Sequence, residues 1–158
     1  MDLIKLSCDL IAFKSISPQS AGSLEFIMKI LNRHNFKCQL LEFGSKKVKN
    51  LYAVFKGGEG PNLCFAGHTD VVPPGNLKEW DYNPFISKIK DGVLYGRGAS
   101  DMKTAIAAYI SSSLNFLSEF KHSFDGSLSF LITADEEGDA VFGTKSVVEW
   151  IKKKKNKN

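Results

Sequence analysis

A chain of 158 residues, 43% of them hydrophobic and 24% charged, has the size and composition of one soluble globular domain. Its net charge of +4 does not mark a nucleic-acid binder, because the lysines at 152, 153, 154, 155 and 157 account for it and residues 1–151 alone carry −1. Cys8, Cys38 and Cys64 form no C-x-x-C pair, there is no basic leader, and no stretch approaches the roughly 18 apolar residues of a membrane span, so a reducing, cytoplasmic setting is expected.

From the N-terminus, Leu3, Ile4, Leu6, Leu10, Ile11 and Phe13 recur at helical spacing and predict a helix over 2–14, broken by Ser17-Pro18. Leu24, Ile27, Met28 and Leu31 predict a second helix from Ser23 towards Asn35, a residue that tolerates the left-handed conformation of a helix stop. Three strand-like runs follow at 37–43, 50–56 and 62–67, separated by Gly44-Ser45 and by a Gly-rich stretch ending in Pro61. The third run delivers His68 and Asp70 at its end. Residues two apart on an extended backbone share a side, so the imidazole can take a metal on one nitrogen while the carboxylate accepts the N–H of the other. Alone, H-x-D is also what a plain polar strand end looks like.

Asp91-Gly92 is a two-residue turn signal and predicts a hairpin between 86–90 and 93–95. Gly96-Arg97-Gly98-Ala99-Ser100 then leads to Asp101, and Met102–Phe120 reads as a long helix. The glycines permit a tight turn that can bring the Asp101 carboxylate, with two oxygens, against a buried ion; a simple helix N-cap is the plainer alternative. The segment is not a phosphate-binding loop, since Met102 stands where that loop requires Gly before the lysine. An apolar run over 127–134 predicts a strand buried on both faces, and it ends in Asp135-Glu136-Glu137. Adjacent carboxylates at a strand end diverge, so one can hold metal while the other faces water; an acidic surface turn is the plainer alternative. A last helix begins at Val141 and runs to Lys152, and residues 152–158 are expected to form a basic, disordered tail. Helices interleaved with apolar strands, one hairpin among them, argue for an α/β fold with a mixed sheet flanked by helices.

Three strings, Gly67-His68-Thr69-Asp70-Val71-Val72-Pro73-Pro74-Gly75, Leu94-Tyr95-Gly96-Arg97-Gly98-Ala99-Ser100-Asp101-Met102-Lys103 and Thr133-Ala134-Asp135-Glu136-Glu137-Gly138, resemble the M20 metallopeptidase family. Trp80, Pro84-Phe85, Gly143-Thr144 and Val148-Glu149-Trp150 extend the likeness over residues 1–151. The resemblance implies a zinc-exopeptidase-like catalytic domain that hydrolyses a linear amide with two zinc ions, cobalt being a plausible substitute. It implies that Asp101 bridges the ions, with His68 on one and Glu137 on the other. Asp70 would orient His68, Glu136 would be the general base, and the Asp101–Met102 peptide bond would be cis. The substrate it implies is an N-succinyl amino acid on the route to diaminopimelate and lysine, with acetylornithine deacetylases, aminoacylases and carboxypeptidases of the same family as alternatives. The family also carries a further Glu ligand, a dimerising lid and a final His ligand, none of which follows within these 158 residues. A truncated catalytic domain with an incomplete site is therefore expected, its activity doubtful, and a non-catalytic remnant or interaction module is the reading from another class.

Overall fold

The structure, a computed structural model, describes residues 1–120 and 123–156. Four strands form its main sheet in the order β1 (Lys37–Phe43), β2 (Val48–Lys56), β6 (Ser127–Thr133), β3 (Asn62–His68). The pairs β1·β2 and β2·β6 are antiparallel, whereas β3·β6 is parallel with Leu63 opposite Leu128 and His68 opposite Thr133. A mixed sheet results. The parallel pair has a consequence for function: β3 and β6 end at the same rim, so whatever follows His68 meets whatever follows Thr133.

The predicted hairpin is β4 (Lys88–Lys90) and β5 (Val93–Tyr95), a separate two-stranded ribbon. Asp91 and Gly92 both take positive φ, the conformation that tight two-residue turns demand.

Helices α1 (Leu3–Ile11), α2 (Ser23–Arg33) and α3 (Thr104–Glu119) cover one face of the sheet and α4 (Thr144–Lys155) packs on the other. Alternation along β2 explains both layers. Leu51, Ala53 and Phe55 point into the core with Leu10, Ile27 and Ile110, while Tyr52 on the opposite face meets Trp150 of α4 edge-on at 6.0 Å. At the centre, Phe130 is fully buried with Phe36 and Tyr109 against its ring, at 5.5 and 4.9 Å. Asp2 caps α1 by accepting Lys5 N–H, and Asn35 takes the positive φ anticipated beyond α2. Among the described residues no helix is long and apolar enough to cross a membrane.

Among the boundaries that differ from the sequence reading are the starts of the last two helices. Helix α3 starts at Thr104 rather than Met102, because Asp101 and Met102 hold extended φ values of −130° and −132° inside a turn closed by Lys103 N–H on Gly98 O. Helix α4 starts at Thr144 and continues through Lys155, so residues 152–155 of the segment expected to be disordered are helical. Lysine is a good helix former, and positive charge suits a helix C-terminus. Residues 157–158 of that segment lie outside the described residues.

Candidate metal centre

The rim where β3 and β6 end carries every residue singled out for metal chemistry. Beyond β3 the chain stays pinned: Thr69 N–H donates to Thr133 O, Val71 N–H to Ser15 O, and Ser15 Oγ–H to Thr69 O. His68, Thr69 and Asp70 are consequently buried at a strand end. Gly67 permits close packing behind them, since a Cβ there would lie 3.1 Å from Met102 Cε and 2.9 Å from the Phe65 ring. Met102 thus sits against the strand, and the preceding Asp101 is brought to His68. The Asp101–Met102 peptide bond is cis, as anticipated.

His68 Nδ1 lies 3.0 Å from the backbone carbonyl of Asp70. A carbonyl only accepts, so Nδ1 carries a proton. The other nitrogen, Nε2, then faces carboxylates: Asp101 Oδ1 at 3.0 Å and Glu136 Oε2 at 3.5 Å. A neutral ring in this tautomer would aim a lone pair at two anions. A cation held between the nitrogen and the carboxylates would satisfy both sides.

Asp70 sits behind His68 as expected, but its carboxylate does different work. The ring N–H goes to the carbonyl, while carboxylate Oδ1 stands 3.6 Å from Nδ1 and has no hydrogen-bond partner among the described residues. The second oxygen, Oδ2, accepts the N–H groups of both Glu136 and Glu137 at 3.0 Å. Asp70 therefore fastens the acidic loop after β6 to the strand that carries His68.

His68, Glu136 and Glu137 offer ligand atoms within 4.8 Å of one another. Asp101 is outside that trio, yet touches His68. Glu136 is exposed and Glu137 half-buried, so the two adjacent carboxylates have different surroundings. Burial pushes the Glu137 carboxyl above its usual range; His68 opposes this, and Asp101, Glu136 and Asp70 add to it. His68, Asp101 and Glu136 open onto a cleft of about 350 Å³ that is also lined by Ala66, Gly67, Met102, Thr133 and Thr144. One imidazole with several carboxylate oxygens is a donor set that suits zinc. Two ligands of a tetrahedral zinc stand about 3.3 Å apart, close to the 3.0 and 3.5 Å separations around Nε2. The residues fit the ion.

Two buried charged groups were not anticipated as parts of this region. Lys103 is fully buried, and its ammonium donates to Phe13 O at 2.7 Å. Asp135 is 3% exposed, although in sequence it is indistinguishable from its acidic neighbours. The available signal was weak: Lys103 follows the Asp101 turn, and Asp135 directly ends an apolar strand.

A family model described as peptidase family M20/M25/M40 matches residues 64–158. The chain is 51% identical over 157 residues to a succinyl-diaminopimelate desuccinylase of Wolbachia pipientis wMel and 50% identical over 150 residues to one of Orientia tsutsugamushi strain Boryong. Those alignments cover 99% and 94% of this chain but 39% and 38% of the relatives, so the chain spans about two fifths of the length of the curated relatives it matches. Among solved structures, the M20 family metallo-carboxypeptidase Sso-CP2 from Sulfolobus solfataricus superposes with a TM-score of 0.81 at 23% identity, covering 99% of this chain and 35% of its own. Human carnosine dipeptidase 1 gives 0.77 at 24% identity, covering 93% of this chain and 34% of its own.

Proposed function

This chain belongs to peptidase family M20/M25/M40, and from that premise we propose that it supplies metal ligands and the general base for hydrolysing an N-succinyl amino acid. N-succinyl-LL-diaminopimelate is the proposed substrate, with succinate and LL-diaminopimelate as products. Desuccinylases being about 50% identical along essentially this whole chain favour it over acetylornithine deacetylase, aminoacylase or carboxypeptidase activity.

The observation that carries the reading is the orientation of His68. Its Nδ1–H is committed to Asp70 O, which leaves Nε2 among carboxylates where a cation belongs. In this reading His68, Asp101 and Glu137 would be the residues that hold zinc. Zinc held there would act as a Lewis acid on the amide carbonyl and make water nucleophilic near neutral pH.

The remaining work falls to the chain itself. The Nδ1–H···O contact fixes the ring and keeps Nε2 aimed outward. Asp70 Oδ2 holds the Glu136 and Glu137 amides, so both carboxylates stay at the rim. The Glu136 side chain is 55% exposed at the cleft and can take a proton from water, then deliver it to the leaving amine. The groups that read the succinyl and diaminopimelate ends, with a lid and a homodimer contact, belong in this reading to the three fifths of such a relative that this chain does not span. Free Cys8, Cys38 and Cys64 accord with a cytoplasmic setting.

A chimera tests the proposal. Exchanging the matched 157 residues of the Wolbachia relative for this chain should give a zinc enzyme that releases succinate from N-succinyl-LL-diaminopimelate and loses that activity on Glu136→Ala. A folded, zinc-loaded chimera that cleaves only N-acetylornithine would move the assignment to the deacetylases.

A further inference from the structure

The acidic triplet at the end of β6 contains one member whose carboxylate is bonded within its own loop. Asp135 is buried, and its two carboxylate oxygens reach forward along the chain: Oδ1 accepts Ala140 N–H at 3.3 Å and Oδ2 accepts Phe142 N–H at 3.2 Å. Its own N–H donates to Thr133 Oγ1 at 3.1 Å. The loop it spans returns to the strand, since a Cβ on Gly143 would lie 2.7 Å from both Asp135 O and Thr133 Oγ1. Asn50 Nδ2 closes the same end by donating to Phe142 O at 3.0 Å. The segment from 135 to 143 is therefore a closed loop wrapped around one carboxylate.

We propose that Asp135 is a positioning residue, an internal anchor that shapes this loop so that Glu136 lines the cleft and Glu137 stays beside it within reach of His68. The inference rests on the metal-site reading above for its purpose, though not for its geometry. Glu136 and Glu137 leave the strand directly after Asp135, and their amides must lie together to share Asp70 Oδ2. Asp70 grips the outgoing arm and Asp135 the returning arm. With both arms fixed, the two acidic side chains are held at the rim although the residues from Glu136 to Ala140 are largely exposed. An amide at position 135 has the same volume but turns one acceptor into a donor facing an N–H, so one of the two bonds to the returning arm is lost.

Asp135→Asn tests this by amide hydrogen exchange, read residue by residue. The expected result is exchange about tenfold or more faster at Glu136, Glu137, Ala140 and Phe142, with Ser129, Phe130 and Leu131 unchanged. Exchange at Glu136 and Glu137 within about twofold of wild type overturns the proposal. Should the variant not fold, the wild type decides: Ala140 and Phe142 amides protected roughly tenfold to a hundredfold support the anchor, and unprotected exchange at both overturns it. Cobalt titration of wild type and variant separates the two readings. Weaker cobalt binding by Asp135→Asn, with a matched loss of stability from Ile30→Val leaving binding intact, supports positioning, and equal binding by all three overturns it. A wild-type chain that binds no cobalt overturns the metal reading, while the exchange rates still decide the role of Asp135.

Discussion

Removing the Asp70 carboxylate should cost this protein more than removing either glutamate it holds. Asp70 is fully buried, and one oxygen accepts two backbone N–H groups at 3.0 Å. Hydrogen bonds to a charged group contribute about 1.5–3 kcal/mol each, and donors left unsatisfied add to the loss when one partner is deleted. The ammonium of fully buried Lys103 would also lose the favourable charge of Asp70. The contributions are coupled, so Asp70→Ala should destabilise by about 3–5 kcal/mol rather than by their sum. For a domain of this size that lowers Tm by roughly 10 °C. Asp70→Asn, which keeps one acceptor, should lose less than half as much. Circular dichroism melts of the three proteins at neutral pH provide the assay. An Asp70→Ala protein that melts within about 2 °C of wild type would refute the idea that this carboxylate ties the two strand ends together.

Phe130→Ala should destabilise by about 3–5 kcal/mol, because the ring is fully buried between Phe36 and Tyr109; urea unfolding measures it. Burial alone would raise the Glu25 carboxyl, but the hydrogen bond from Lys49 and its charge outweigh this and hold it below its usual value of 4.5. Such a depressed carboxyl stabilises the fold above pH 4.5 and loses that contribution as pH falls through its folded pKa, so Glu25→Gln should cost less than about 1 kcal/mol at pH 7 and nothing at the acid end, both ion-pair partners being more than a third exposed. Strand β3 is an edge strand with Leu63 62% exposed, so the purified chain should self-associate in sedimentation velocity and Leu63→Lys should reduce it. Assayed alone with excess zinc, the 158-residue chain should release succinate far below the usual range of roughly 1–10³ per second, since catalytic zinc normally has three protein ligands and here each ion would have Asp101 and one other. Turnover in that range, lost on Glu136→Ala, would show that these residues suffice.

Local chemistry in the sequence was enough to place β1, because a short strand-like run closed by Gly44-Ser45 is a local property and the strand is found at Lys37–Phe43. The Asp91-Gly92 turn was legible for the same reason. His68, Glu136 and Glu137 could be picked out because apolar runs end at or just before them, and Asp101 because a Gly-rich turn leads into it; parallel β3 and β6 do bring the two strand ends to one rim. What could not be read was where each acidic side chain turns. Asp135, Glu136 and Glu137 are chemically alike in sequence, and only the return of the loop to Gly143 buries the first of them. Asp70 was expected to bond the imidazole; the strand-end backbone instead places its carbonyl there and frees the carboxylate for the neighbouring loop. The start of α3 was missed because Met102 suits a helix by composition, yet its backbone belongs to the turn that presents Asp101.

The central claim is that Nε2 of His68 faces a cation shared with carboxylates. Calorimetric titration of zinc into the wild-type chain and into His68→Ala tests it most directly. Zinc should bind the wild type stoichiometrically, and the variant, which keeps every carboxylate, should bind at least about tenfold more weakly, a difference of about 1.4 kcal/mol. Identical binding curves for the two proteins would contradict the claim and leave the rim as an acidic surface with no ion of its own.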